Sequence, residues 1–451
     1  MGVRIQEIGK KYKIDKIFDI YKDTTGVAFL DSSLENKLGR YSIIGLNPYI
    51  VIKKVKNIVY QNKNKRKGTF EQNLRNILKK EYQKNNSNLP IISGAIGYFS
   101  YEYNNINYNQ ENVDFTEEIP EAMFSFYDNF IIQDHSSGEV FLSGNGKLKD
   151  SDSSILDIIE EIKRKYNHQE YQLEEHLEYQ VKIKANFEPN DYKKAVKKVI
   201  DYIIAGDIYI ANMTQKLLLE SAKMPYNMYQ KLRKTNPAPF GAYLNQEDFQ
   251  IISASPERFL RVKNNLIDTR PIKGTRKRGQ TLEEDKMLKN ELKNSKKDQS
   301  ELLMIVDLER NDLSKICKKN SVKVEELYSI EEYATVFHLV ANIQGQLEEG
   351  YDTIDIIEAM FPGGSITGAP KKRAMEIIQE LEQGNRGLYT GALGYLSLDG
   401  NCDFNIVIRT VVHQKGKYFL GVGGGITCES ELDFEFEETL QKAKAIIEAL
   451  R

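Results

Sequence analysis

No apolar run of about 18 residues, the length that spans a membrane as a helix, occurs in the 451 residues of this chain. Its first residues, Met1-Gly2-Val3-Arg4-Ile5-Gln6, carry neither the apolar stretch of a secretion signal nor the serine or threonine of a myristoylation signal, so a cytoplasmic location is expected. Cysteine is scarce. Cys317, Cys402 and Cys428 are odd in number and never in CxxC spacing, which argues against a disulfide framework or structural zinc and fits thiols in a reducing compartment. The five histidines include no HExxH pair, so a hydrolytic zinc site has no support. Charge of one sign is lacking too: 63 Lys+Arg against 65 Asp+Glu leave a net −2. Neither nucleic acid nor membrane is an expected partner, and any basic site must be local. A glutaminase nucleophile is also missing: Cys317 lies in a stretch read as helix, Leu313 to Lys318, and neither other cysteine stands in a glycine-framed elbow.

What is present reads as a large α/β (α+β) protein with layered β-sheets flanked by helices. Residues 1–166 are strand-rich at Ile91 to Tyr103 and Ala122 to Gly144, with Ser136-Ser137-Gly138 as a hairpin turn, and Ile155 to Tyr166 forms an amphipathic helix. A charged stretch with little apolar content makes 167–187 a connecting segment, and 188–451 a second region. It opens on a helix with Asn190 as N-cap, apolar positions Ala195, Val196, Val199, Ile200, Ile203 and Ile204 at helical spacing, and Gly206 as terminator. There is no internal repeat.

The chemistry gathers in that second region. Lys273 stands in Asp268-Thr269-Arg270-Pro271-Ile272-Lys273-Gly274-Thr275-Arg276-Lys277-Arg278-Gly279, read as a loop because proline fixes one backbone angle and glycine frees another. Beside Arg270 and Arg276 a further positive charge is disfavoured, so the amine is a candidate nucleophile; a solvated basic loop that binds anions is the plainer alternative. Asp298 and Glu301 lie three apart on one predicted helix. The C-terminal helix repeats the arrangement, with an apolar stripe of Phe436, Leu440, Ala443, Ile447 and Leu450 and Glu435, Glu438 and Lys442 on its flank. Each pair alone is more simply the pattern of a solvated helical face, while two together suit magnesium, which takes one or two carboxylates plus an anionic substrate. Two glycine turns, Pro362 to Lys371 and Gly421 to Thr427, offer backbone amides to an anion, the first with a helix starting near Pro370. Neither has the spacing of a nucleotide motif. Tyr389 opens a strand pair, and Arg409 sits on the apolar alternation Asn405 to Val412 as a surface charge or a carboxylate clamp.

Ser255-Pro256-Glu257, Pro271-Ile272-Lys273-Gly274-Thr275, Ser300-Glu301 with Val306 to Asp312, Phe337-His338-Leu339, the Gly363 to Lys371 turn and Gly423-Gly424-Gly425-Ile426-Thr427 together resemble the chorismate-utilising enzymes. The resemblance runs in order over about residues 188 to 445, and Phe29-Leu30-Asp31-Ser32 with Gly39-Arg40-Tyr41-Ser42 resembles the N-terminal part of the family's amination branch. Within the family, Pro-Ile-Lys-Gly-Thr is similar to the aminodeoxychorismate-forming enzymes, whereas the anthranilate-forming ones have alanine at the lysine position. The resemblance implies the following roles. Glu301 and Glu438 bind Mg2+, supported through water by Asp298 and Glu435. The metal neutralises the ring carboxylate of chorismate. Tyr389 and Arg409 hold the enolpyruvyl carboxylate with amides near Gly423 and Gly424, and Thr275, His338, Ser365 and Lys442 complete the substrate site. Glu257 protonates the departing C4 hydroxyl while Lys273 attacks C2; ammonia then adds at C4 and expels the lysine, giving 4-amino-4-deoxychorismate for p-aminobenzoate and folate synthesis. Ammonia is expected from a separate glutamine amidotransferase.

Two departures from the family pattern matter. Ile210 stands where amination enzymes have glutamine and water-adding relatives have a lysine base; an isoleucine cannot activate water. Asp31 replaces the glutamate of feedback-inhibited relatives, so Asp31, Ser32, Tyr41 and Ser42 mark a tryptophan-binding position whose regulatory role is open. Anthranilate formation is the competing activity, and a catalytically silent tryptophan-binding or scaffold subunit is the alternative of another class.

Overall fold

Residues 2–104, 113–168, 178–333 and 336–451 are described by the computed structural model. Its strands pair antiparallel throughout, and two ladders diverge from the long strand Ala122–Asp134, which reads as buried along its whole length. One ladder runs through Tyr41–Val55, Ala28–Asp31, Phe240–Asn245, Gln250–Ser255, Thr410–Gln414 and Lys417–Ile426 to Ile210–Glu220. The other runs through Gly94–Phe99, Ala392–Ser397, Cys402–Ile406, Arg258–Lys263 and Leu266–Arg270 to Val336–Gln346. Strands from before and after the connecting segment are therefore neighbours twice, Ala28–Asp31 beside Phe240–Asn245 and Gly94–Phe99 beside Ala392–Ser397. Residues 169–177 of the connecting segment lie outside the described residues.

Local sequence explains most element ends. The Ser136-Ser137-Gly138 turn closes the expected hairpin: Gly138 takes φ +76 and its N–H reaches the Asp134 carbonyl at 2.7 Å, a conformation glycine adopts without steric cost. Phe130, Ile131 and Ile132 face Ser143, Leu142 and Phe141 across it. The helix expected from Ile155 begins earlier, at Ser151, because Asp150 caps it by accepting from the Ser153 N–H.

Four expectations need correction. The helix Pro189–Ile204 starts on proline, with Glu188 at the cap position and Asn190 already inside; proline suits the first turn because its missing N–H is not needed there. Arg409 is not on a strand. The run Asn405 to Val412 breaks into Cys402–Ile406 and Thr410–Gln414, and Arg409 turns the corner with φ +50. The C-terminal helix Leu432–Leu450 buries Glu435, Thr439, Ala443, Ile446 and Leu450, while Leu440 is exposed. Its inner face is thus rotated from the apolar stripe toward the carboxylates, because Glu435 and Thr439 find polar partners inside. Cys317 follows the helix Lys296–Ser314 and bridges to Leu347 rather than lying within the helix.

Candidate active site

The floor of the site is the pair Ile210–Glu220 and Lys417–Ile426, in which Asn212 faces Gly425, Thr214 faces Gly423 and Lys216 faces Gly421. Strand side chains alternate between faces, so Gly421, Gly423 and Gly425 leave one face bare. A methyl group on Gly425 would lie 3.2 Å from Lys273 Nζ and 3.3 Å from Ile210 Cδ1, and one on Gly421 would strike the Tyr389 ring at 2.1 Å. The bare strip is therefore a trough with Tyr389 at one end and Lys273 at the other. Gly424 presents the opposite face, where a methyl group would meet Glu438 Oε2 at 2.6 Å and Glu435 Oε2 at 3.3 Å.

Lys273 comes from the strand Ile272–Lys277, not a loop. The strand pairs with Val336–Gln346 and carries a register shift at Gly274, φ +75, whose missing side chain leaves room for the Asp298 carboxylate. The Lys273 amine donates to the Ser365 carbonyl at 3.2 Å. Arg270 and Arg276 do not act on it as bare cations: Arg270 pairs with Glu326 and Glu331, and Arg276 with Glu291 and Asp298. Glu257 is buried, accepts the Ile272 N–H at 3.3 Å, and is pushed above the usual carboxyl range by burial, against the pull of Ser365 and Lys273. A carboxyl held in that direction is suited to donate a proton near neutrality.

Across the trough, His338 is 3% exposed and its Nδ1 shares a 2.9 Å hydrogen bond with Thr275 Oγ1. Burial, reinforced by the Arg409 charge, pushes its pKa down to about 3, so the ring is neutral at physiological pH. Its Nε2 is buried without a partner. Arg409 is half-buried, held below its ordinary value by burial, and among the described residues no carboxylate pairs with it. A guanidinium in such surroundings usually has a carboxylate partner. Tyr389 is buried, and burial raises its phenol as well.

Glu301, on the helix Lys296–Ser314, is pushed up by burial, with Asp298 and Glu438 adding and Lys273 and Lys297 opposing. Glu435 is pushed up by burial and by Glu438, against the Ser430 hydroxyl that it accepts at 2.7 Å. Lys442 bridges Glu438 at 2.9 Å and the Gly423 carbonyl at 2.8 Å. Among the described residues no three acidic, histidine or cysteine side chains gather closely enough to form a metal cage. Glu301 and Glu438 are close enough for Glu438 to add to the upward push on Glu301, a pair in keeping with Mg2+, which commonly uses one or two carboxylates with water and substrate oxygens completing its shell.

Several supports were not legible in the sequence. Lys371, half-buried at the end of the Gly363 to Lys371 turn, donates to Asp312 at 2.5 Å and to the Met360 and Pro362 carbonyls. Arg386 ties the Ile366 and Asn212 carbonyls to Glu382. Glu309 packs against Gly364, its carboxyl pushed up to about 8 by burial, with Thr269 opposing and Glu257 adding. The Thr269 hydroxyl lies 2.7 Å from the Phe259 carbonyl and 2.8 Å from Glu309 Oε2. A hydroxyl has one proton, which Thr269 shares between these two acceptors.

The N-terminal residues form a separate pocket of about 80 Å³ lined by Asp31, Ser32 and Tyr41 among others. Asp31 accepts from Tyr229 at 2.8 Å, Arg233 at 2.7 Å and Ser42 at 3.4 Å. Ser42 also meets His135 at 2.8 Å, and Ser32 donates to the Tyr41 and Pro239 carbonyls.

A twisted antiparallel frame with a glycine-floored trough, an unpaired arginine, a neutral histidine and facing carboxylates defines an enzyme for a small anionic substrate, and comparison says which. The family model for chorismate binding enzymes matches residues 32–448, and the chain belongs to that family. It is 38% identical over 421 residues to aminodeoxychorismate synthase component 1 of Bacillus subtilis, covering 91% of this chain and 89% of that one. It is 37% identical over 448 residues to anthranilate synthase component 1 of Acetivibrio thermocellus, covering 95% and 91%. Among solved structures, anthranilate synthase component I of Streptococcus pneumoniae superposes with a TM-score of 0.82 at 30% identity, covering 93% of this chain and 94% of that one. The menaquinone-specific isochorismate synthase of Escherichia coli shares the fold, with a TM-score of 0.75 at 16% identity over 100% and 95%. Among the described residues no helix is long and apolar enough to cross a membrane.

Proposed function

We propose that this chain is the chorismate-aminating subunit that forms 4-amino-4-deoxychorismate. The observation that carries the reading is the Lys273 amine at the end of the trough, 3.2 Å from the Ser365 carbonyl and beside the bare Gly425, where a relative forming anthranilate would have no nucleophile of its own. Arg409 and Tyr389 hold the enolpyruvyl carboxylate, and the neutral His338 ring packs near the reacting ring. Lys273, unprotonated, bonds to C2 as the C4–O bond breaks, and Glu257 gives its proton to the departing hydroxyl to form water. Ammonia then bonds to C4, the C2–N bond to Lys273 breaks, and the new ammonium returns a proton to the Glu257 carboxylate. Glu301 and Glu438 would hold Mg2+, with Asp298 and Glu435 behind them; bound there, the metal supplies charge neutralisation of the ring carboxylate. Ile210 beside Lys273 leaves no base to activate water, which disfavours hydroxylation. The ammonia would come from a glutamine amidotransferase partner, since Cys317 and Cys402 are buried and only Cys428 is exposed, none in a nucleophile turn.

Incubating the protein with chorismate, Mg2+ and ammonium, and in parallel with glutamine, tests this. The expected product is 4-amino-4-deoxychorismate from ammonium and none from glutamine. Anthranilate as the sole product would overturn the reading.

A further inference from the structure

Beyond the residues already assigned, one polar side chain at the trough has no work in the free protein. Asn212 is 8% exposed, and its Nδ2 has no hydrogen-bond partner. Its backbone is fixed: the N–H donates to the Thr367 carbonyl at 2.7 Å and the carbonyl accepts from Arg386 at 2.5 Å. Asn212 stands directly opposite Gly425. Opposed residues of an antiparallel pair project their Cβ atoms to the same face, about 5 Å apart. The Gly425 face is the one occupied by the Lys273 amine, 3.2 Å from where a methyl group would sit. Ile210, two residues earlier and so on that same face, closes the wall next to it. A donor-bearing amide is thus held on the face of the sheet that Ile210 and the Lys273 amine occupy.

A buried amide with an unmade hydrogen bond costs the folded protein stability, and the cost is offset when a ligand supplies the acceptor. We infer that Asn212 is a substrate-contacting residue that donates a hydrogen bond to an oxygen on the ring of bound chorismate, fixing the reacting carbons against Lys273. The inference rests on the trough being the chorismate site of the proposed function. It is specific to the ring end: the carboxylate end has Arg409 and Tyr389, and the metal side has Glu301 and Glu438.

Asn212→Leu removes the donor at similar size and gives two opposite effects. Melting temperature should stay level or rise, because an orphaned donor is replaced by apolar surface. Chorismate affinity by titration calorimetry and kcat/KM with ammonium should fall roughly 10- to 100-fold, the range of one lost hydrogen bond. A melting temperature lowered together with affinity would make Asn212 a structural residue and overturn the inference. Affinity and turnover equal to wild type would overturn it as well. Wild-type protein that binds chorismate and makes no amino product would sink the amination reading, while a weakened affinity in the leucine variant would still uphold the Asn212 contact.

Discussion

The trough and the N-terminal pocket are built from similar materials, buried polar groups between sheet strands, yet they are opposite in state. In the trough, the Arg409 guanidinium has no carboxylate partner among the described residues, His338 Nε2 and Asn212 Nδ2 are unpaired, and Glu301 and Glu438 repel. In the N-terminal pocket, of about 80 Å³, Asp31 already holds Tyr229, Arg233 and Ser42. Unpaired groups thus mark the trough, and not the pocket, as the place for a ligand. The trough keeps polar groups without partners, whereas the pocket has its buried carboxylate already paired with Arg233.

The largest effect expected from this contrast lies in the trough. Glu301→Gln or Glu438→Gln should reduce Mg2+-supported turnover by roughly 100-fold or more with unchanged circular dichroism, because each keeps volume and deletes a charged oxygen. Unchanged magnesium dependence in both variants would make these carboxylates a solvated face after all. Next in size, Arg233→Leu leaves the Asp31 carboxylate, 2% exposed, without its cation. A loss of about 3 kcal/mol is expected from urea denaturation, with chorismate turnover retained below the transition. A neutral result would mean the pocket is not closed by this pair.

A smaller, pH-dependent effect belongs to Glu309. Its carboxyl titrates near 8 in the folded protein and near the ordinary glutamate value of about 4.3 when unfolded. The folded state therefore holds the proton more tightly, and this contribution to stability is full below about pH 4 and lost as pH rises through about 8. Glu309→Gln cannot ionise, so its melting temperature should gain on the wild type between pH 5 and pH 8.5, by the equivalent of a few kcal/mol at most. A difference that does not change with pH would show Glu309 ionised throughout.

The parts of the site legible in sequence were those where chemistry and backbone need coincide in a short run. Glu257, Lys273 and the glycine strand fall near one another, and Glu301 and Glu438, from two distant helices, come close enough for one to raise the other. What could not be read was set by long-range partners. Arg270 and Arg276 look like free cations beside Lys273 until Glu326, Glu331, Glu291 and Asp298 arrive from other elements. Arg409 sits in an apolar alternation that promises a strand; its positive φ corner is a tertiary outcome, uncommon for a side chain of that size. The C-terminal helix misled for the same reason, since Glu435 and Thr439 are buried by Ser430 and Gln215 and hydrophobicity cannot register a polar partner. Asn212 carries no signal in sequence, because only the register against Gly425 brings it to the amine.

The amination reading turns on a bond from Lys273 to the substrate. Acid-quenched wild-type protein, mixed with chorismate and Mg2+ in the absence of ammonia, should give by mass spectrometry an adduct of chorismate less water on the peptide carrying Lys273. The Lys273→Ala variant should give no adduct and should form 4-amino-4-deoxychorismate slower by orders of magnitude. An alanine variant that makes the 4-amino product at the wild-type rate would contradict the account and leave Lys273 as an anion-binding side chain.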